Sequence, residues 1–587
     1  MKKRTFLPDA LATTVLVALF GTTTHADDEV LMQAMHDELA RTMDELRMED
    51  MDSPYFVAYT VRDTAQVSTG ASFGALLPSS KSRSRRLSVE LRVGDPSFDN
   101  TNFRAMGSFQ SGGGGAMLPL TDDAVEIRRQ IWLATDAAYK NALKQIAAKR
   151  AGLQNATRIE DLGDLAPQEP YTHTDEAHGD LPGLPDIETL VRNLSMQFRD
   201  MPHIMDSSVR ARVSQARTYY LNSEGSSFIR SDPLARLSVT AETQAVDGTM
   251  LHDFRAIYAD SWDEIGKRDD LAAEVEALGT AIAARRSAAK LEDRYIGPVL
   301  FEGQAAAEFT AQVLVPRLRG VRTPDTESRF AGSMQQSGNP FLDKIGARVL
   351  ARFLDLKDDP TLTGNGFVSG YPVDDEGVPA EATSLVENGI LKTLVTTRNP
   401  VRGIDGSTGN RRGSGPQPSN VAMTSKRGMT REELYGEMYL LMEEREAEYG
   451  IVVRRLGNPR MKPAGSGFSI SFGGSGPGQG NIENALLAYK VFPDGREELL
   501  QTVEFAGIAD SVFKEIVAAS DSNTIYTRTA GSSGFSSGMV VMIGMTPAQG
   551  STVTLSVPDL LFEELSVRKP TGNLPHLPVA AHPFFEE

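Results

Sequence analysis

The chain has no cysteine among its 587 residues. Disulfides, thiolate metal sites and cysteine nucleophiles are therefore excluded. Histidine is scarce as well, with eight in all: His25, His36, His173, His178, His203, His252, His576 and His582. Only His173 and His178 cluster, in YTHTDEAHGD beside Asp175 and Glu176. Their spacing does not place them on one helix face, and the segment reads as loop. A divalent-cation site there competes with a plain exposed polar loop. No G-x-x-x-x-G-K-[ST] phosphate loop, no strand–G-x-G-x-x-G–helix unit and no G-x-S-x-G nucleophile elbow occurs. After the first residues, no apolar run approaches the ~18 needed to cross a bilayer. Positive charge is in deficit, with 60 Lys and Arg against 78 Asp and Glu and a net charge of −18. That balance argues against nucleic acid or an anionic membrane surface as the main partner.

What is present is an ordinary globular composition, 40% apolar and 24% charged, in a chain too long for one core. Two or three domains are the prior. Lys2, Lys3 and Arg4 precede a short apolar run, LATTVLVALFG (11–21), and Thr24-His25-Ala26 offers a small-x-small cleavage site. This reads as a signal peptide over 1–26, cleaved near Ala26/Asp27, and predicts an exported, periplasmic or secreted protein with no membrane segment after cleavage.

Along the chain, an amphipathic helix is predicted from Val30 to Met48 and strands at 55–63 and 85–95. The basic cluster KSRSRR (81–86) reads as loop, and SGGGGAM (111–117) as a flexible connection. A long helix follows over 122–151, an exposed loop over 165–186, and successive strands over 208–245 that turn at Asn222–Gly225. A second long helix is expected at 262–290, capped by Ser261 and Glu264. The domain boundary falls near Leu291, giving an N-terminal α+β domain (27–290) and a β-rich C-terminal domain (291–587). In the latter, Asn388-Gly389 and Pro493-Asp494-Gly495 mark hairpins over 384–395 and 485–505. A helix at 431–449 is capped by Thr430 and Glu433 and stopped by Gly450, and 465–480 reads as a mobile Gly-Ser loop. The fold class is α+β, with helices concentrated in the first half and antiparallel sheet in the second. No catalytic arrangement assembles from composition and spacing alone.

Several ordered elements of the second half nevertheless form a pattern. They are the D-D-E-G-x-P-A turn at Asp374–Ala380, the hairpin L-V-E-N-G-I-L-K at Leu385–Lys392, S-T-G-N-R-R at Ser407–Arg412, and Ser419-Asn420. With these the sequence resembles the TldD/PmbA family of metallopeptidase-related proteins, from about Gly297 to Arg568. The resemblance implies a two-domain architecture. Its peptidase members carry H-E-x-x-x-H on a helix after an E-G-x-A turn, with a Cys near the C-terminus adding a zinc ligand. Here that turn is Glu302-Gly303-Gln304-Ala305, and the His, Glu and His positions fall on Thr310, Ala311 and Val315. The resemblance thus implies a PmbA/TldE-like subunit without zinc ligands, inactive by itself. Such a subunit would be a homodimer, or a heterodimer with an active TldD-like subunit. The residues matching the family's peptide cleft are Thr408, Gly409, Asn410, Arg411 and Asn420. Two other readings stay open: an active peptidase with a rebuilt metal site, and a non-catalytic structural or envelope-assembly protein.

Overall fold

Alternation over two unusually long strand pairs sets the architecture of the first half. The computed structural model describes residues 23–104, 115–154, 161–177, 179–326, 339–461, 482–529 and 551–570. Strand β1 (Pro54–Ser72) buries Val57, Tyr59, Val61, Val67 and Ala71, all of one parity and hence on one sheet face. It pairs antiparallel with β2 (Ser80–Asp95) and with β3 (Asp206–Asn222). Beyond β3 lie β4 (Ser227–Gln244) and β5 (Met250–Ala259), giving the order β5-β4-β3-β1-β2. Helices cover the odd-numbered face. At one end are α1 (Thr23–Glu45) and α2 (Ala124–Leu153), packed on Tyr59, Val61 and Val89. At the other end are α3 (Leu184–Met196), α4 (Trp262–Gly266) and α5 (Leu271–Arg285), packed on Val209, Leu237 and Val239.

Several local expectations are corrected here. KSRSRR is not a loop: Lys81–Arg86 lies in β2 opposite Val67–Arg62. Alternation puts Arg83 and Arg85 on one face, where both bind Asp63, and Arg85 also reaches Asp122 at 2.8 Å. The connection 111–117 lies outside the described residues up to 114, but Gly115–Leu118 is a strand on the edge of β2. The 165–186 segment is not uniformly exposed. Leu165 and Ala166 are buried, Thr172–Thr174 runs parallel to β4, and α3 begins at Leu184. The second long helix is broken into α4 and α5 at the charged stretch Lys267–Asp270. The leader read at 1–26 lies outside the described residues as far as residue 22, and the 465–480 loop lies wholly outside them. Among the described residues no helix is long and apolar enough to cross a membrane.

The second half is one mixed, mostly antiparallel sheet of 12 strands. Its main path runs from β9 (Ile390–Leu391), β8 (Thr383–Glu387), β7 (Leu354–Asp358) and β10 (Asn420–Ser425) through β15 (Thr552–Arg568). It continues with β6 (Tyr295–Phe301), β11 (Gly450–Leu456), β12 (Ala485–Val491) and β13 (Glu497–Leu500). Strand β14 (Ile516–Thr529) pairs with β15 off that path. The pairs β6–β11 and β10–β15 are parallel. The β8–β9 hairpin turns at Asn388 (φ 52°) and Gly389 (φ 74°), and a Cβ at Gly389 would stand 2.6 Å from Leu350 O. Helix α6 (Gln304–Val313) packs on one face through Phe309, which meets Phe301, Phe513 and Phe562. Helix α7 (Arg431–Glu444) covers the other through Leu434, Met438 and Met442. It carries the expected Thr430/Glu433 capping box, but ends at Glu444, where Glu446 turns left-handed (φ 51°) and Gly450 already opens β11.

The two halves meet on the even-numbered face of the first sheet. Phe56, Ala58, Tyr220 and Phe228 form a small core with Leu165 and with Val373 from the second half.

Candidate functional site

Gly303 makes the entry to α6 possible. Its φ of 53° turns the chain, and its N–H donates to Asp559 Oδ1 at 2.7 Å. Glu302, just before it, accepts from Arg431 Nε (2.9 Å), Arg454 Nε (2.8 Å) and the Tyr435 hydroxyl (3.1 Å). Burial raises its pKa, but the two guanidinium hydrogen bonds outweigh that and hold the carboxyl below its usual range.

The helix itself is buried from Ala305 to Ala311. The Thr310 hydroxyl donates back to Ala306 O at 2.9 Å, so it is spent within the helix. Ala311 and Val315 are buried apolar side chains, and Pro316 directs Val315 out of the helix into a tight turn. One ionisable group on α6 is fully buried: Glu308. Its carboxylate accepts from Arg528 Nη1 (2.6 Å), the Tyr526 hydroxyl (2.6 Å), Asn458 Nδ2 (2.7 Å) and Gln312 Nε2 (2.9 Å). Burial pushes its pKa up, and these partners offset only part of that.

Of the five cleft candidates, Asn410 binds the buried carboxyl of Asp358 and Thr408 binds Asn410, while Arg411 turns to Glu376. Asn410 and Asn420 are fully buried. Asn410 Nδ2 donates to Asp358 Oδ2 at 2.7 Å, and Thr408 Oγ1 donates to Asn410 Oδ1 at 2.8 Å. Gly409 needs φ 70°, and a Cβ there would lie 2.5 Å from Pro379 O. Asn420 Nδ2 donates to Asp359 O and Leu362 O, while its Oδ1 is buried without a hydrogen-bond partner. Thr408 and Arg411 alone of the five keep partial exposure.

The D-D-E-G turn is a hub between the halves. Asp374 accepts from the backbone N–H groups of Glu376, Val378 and Arg411. Asp375 binds Arg230 at 2.7 Å, and Glu376 binds Arg411 at 2.7 Å. Arg398 reaches back to Glu224 at 2.6 Å. His173 and His178 are not brought together in what can be described: His173 Nε2 lies 2.6 Å from Asp175 Oδ1, and His178 lies outside the described residues. Asp175 is itself spent on the Ser231 N–H.

Residues 293–569 match the model of the PmbA/TldA metallopeptidase C-terminal domain. This half belongs to the TldD/PmbA family. Curated relatives include a metalloprotease of Methanocaldococcus jannaschii, 34% identical over 116 residues, covering 19% of this chain and 25% of that one. A metalloprotease of Archaeoglobus fulgidus is 33% identical over 95 residues, 16% of this chain and 22% of that one. The matched stretch therefore spans about a quarter of the length of these curated relatives. Among solved structures, TldE from Thermococcus kodakarensis aligns with a TM-score of 0.56 at 16% identity, over 91% of this chain and 99% of that one. A candidate modulator of a DNA gyrase from Thermotoga maritima aligns at 0.57 and 13%, over 91% and 99%. At such identities the likeness shows the fold.

Set on that TldD/PmbA fold, zinc does not fit at the three motif positions. A hydroxyl bonded to its own helix and two buried apolar side chains supply no ligand, and the neighbouring carboxylate of Glu308 is claimed by Arg528. Residue spacing could point to Glu308 as nearby. It could not reveal Arg528, Tyr526 and Asn458, which arrive from segments 150 to 220 residues away.

Asp358 supplies a pH-dependent expectation. Burial pushes its pKa up to about 7, against which hydrogen bonds from Ser419 and Asn410 work only in part. The folded protein thus keeps a proton that the unfolded chain, near the ordinary value of ~4, has released. This contribution to stability is intact below about pH 4 and declines until pH passes about 7. Asp358→Asn, which cannot ionise, is expected to gain on the parent across that window by about 4 kcal/mol in urea denaturation. A difference between the two proteins that stays flat with pH would contradict this.

Proposed function

We propose that the protein is an exported, zinc-free member of the TldD/PmbA family that binds peptides. It would do so within a chamber completed by a partner subunit, either a second copy or an active TldD-type relative. The observation that carries the reading is α6. At the positions where the resemblance calls for zinc ligands, the helix offers Thr310 and Ala311 and the turn after it Val315, all turned to packing. The fold around it is intact, and the turns that carry the resemblance instead lock the cleft loop and the interdomain hub.

The test is the zinc content of the protein expressed with its leader and purified without chelators. Less than about a tenth of an equivalent is expected. A full equivalent that survives dialysis would overturn the zinc-free reading, and His173 would then be the first ligand to substitute. Recovery of the protein in the periplasmic or secreted fraction, shortened by the leader, is the corresponding result for export.

A further inference from the structure

Two segments that flank Glu308's partners belong to a larger group of arginines at the junction of the halves. From the first half come Arg236 on β4 and Arg255 on β5, with Arg285 at the end of α5. From the second come Arg455 on β11, Arg460 after it and Arg528 on β14. The two sides are joined by contact: Tyr258 and Thr529 hydroxyls lie 3.1 Å apart, and Arg236 Nη2 lies 2.7 Å from Met461 Sδ. Six guanidinium groups here face two carboxylates, and each carboxylate is already bound, Asp253 by Arg455 and Glu308 by Arg528. Glu274 also acts on Arg255, but it is ion-paired with Arg268.

Among the described residues, two of the six, Arg236 and Arg460, have no acidic partner. Arg236 stacks on Tyr258, 5.5 Å from the ring centroid, and its Nε is buried without a hydrogen-bond partner. Arg255 is not part of that pair: it lies opposite Val239 on the helix-covered face and donates to the Phe254 carbonyl at 3.3 Å. The Arg460 side chain is exposed and makes no hydrogen bond or ion pair among the described residues. The neighbouring sequence supplies no relief, because neither 462–481 nor 530–550 contains an Asp or Glu. In a chain of net charge −18, this local surplus is opposite in sign to the whole.

We infer that this junction is a carboxylate-binding subsite, in which Arg236 and Arg460 take the acidic side chains or terminal carboxylate of a bound peptide. Guanidinium groups match carboxylates with paired hydrogen bonds, and the Tyr258 ring holds one of them in place. Arg528 and Tyr526 tie the subsite to α6 through Glu308, so it borders the helix that carries catalysis in peptidase relatives. The inference rests on the peptide-binding reading and narrows it to acidic peptides.

The experiment titrates the full-length mature protein with a short fluorescent Glu-rich peptide and with its Gln-for-Glu counterpart. The acidic peptide is expected to bind at least about tenfold more tightly, and Arg460→Gln to remove most of that advantage. Arg129→Gln, on the remote outer face of α2, is expected to leave it unchanged. Because Arg460 is exposed, its variant should fold. Independently of any variant, added salt should weaken the acidic peptide more than the neutral one. Equal affinity for the two peptides would overturn the carboxylate subsite while leaving peptide binding standing. No binding of either would overturn both readings. Displacement of the acidic peptide by inorganic phosphate at much lower concentration would also overturn it, assigning the cluster to phosphate instead.

Discussion

Glu308→Ala is expected to remove roughly 3–5 kcal/mol of unfolding free energy, because it strands the buried Arg528 guanidinium without its counter-charge. The Arg528 side chain is 8% exposed and Glu308 is wholly enclosed, so water cannot replace the lost carboxylate. Tyr526, Asn458 and Gln312 lose their shared acceptor at the same time. The double variant Glu308→Leu with Arg528→Leu is expected to recover a large part of the loss, since removing both charges avoids the unpaired one. Urea denaturation of the two single variants and the double variant measures this directly. A loss below about 1 kcal/mol for Glu308→Ala would mean that Arg528 swings out to solvent, and that the network is not what fixes α6.

Arg230→Ala should cost a comparable ~3–5 kcal/mol, by a different route. Arg230 has no exposure and binds Asp232 at 3.0 Å within its own half. Across the junction it binds Asp375 at 2.7 Å and Val373 O at 2.6 Å. Burial alone would lower its pKa, but Asp232 and Asp375 raise it well above the ordinary arginine value, so it stays charged and its loss takes from both carboxylates their shared hydrogen-bonded counter-charge. Besides the loss of stability, the thermal transition should broaden or split as the two halves lose their shared hub. If the variant still melts in one sharp step near the parent temperature, the coupling between halves lies elsewhere, in the apolar contacts of Phe56, Tyr220 and Val373.

The parts of the molecule legible from sequence are those governed by near neighbours. Asn388-Gly389 and Thr430/Glu433 are cases where the local chemistry decides the backbone, and both are as expected. Helix α2 likewise follows from its periodic Ile127, Ile131 and Ile146. KSRSRR misled because a strand paired on both sides buries charge when the partner strand brings Asp63, a fact 20 residues away in sequence. The helix expected over 262–290 broke because Lys267–Asp270 offered no apolar face to the sheet beneath. The TldD/PmbA turns were readable as a pattern, and the match over 293–569 agrees with the reach inferred from them. Their physical purpose was not readable. Asp374, Asp375 and Glu376 look like candidates for chemistry in a linear sequence, yet each is spent on backbone N–H groups or arginines drawn from distant segments.

The hub around Asp375 has a consequence for how such a chain can change over time. Arg230 and Glu224 sit on one half, and their counterparts Asp375 and Arg398 on the other, with both arginines enclosed where the halves touch. A cut at Leu291 would hand each fragment charges whose answers lie on the other. The halves are therefore inherited together: a foreign first half grafted onto residues 291–587 works only if it brings its own arginine to Asp375 and its own acid to Arg398.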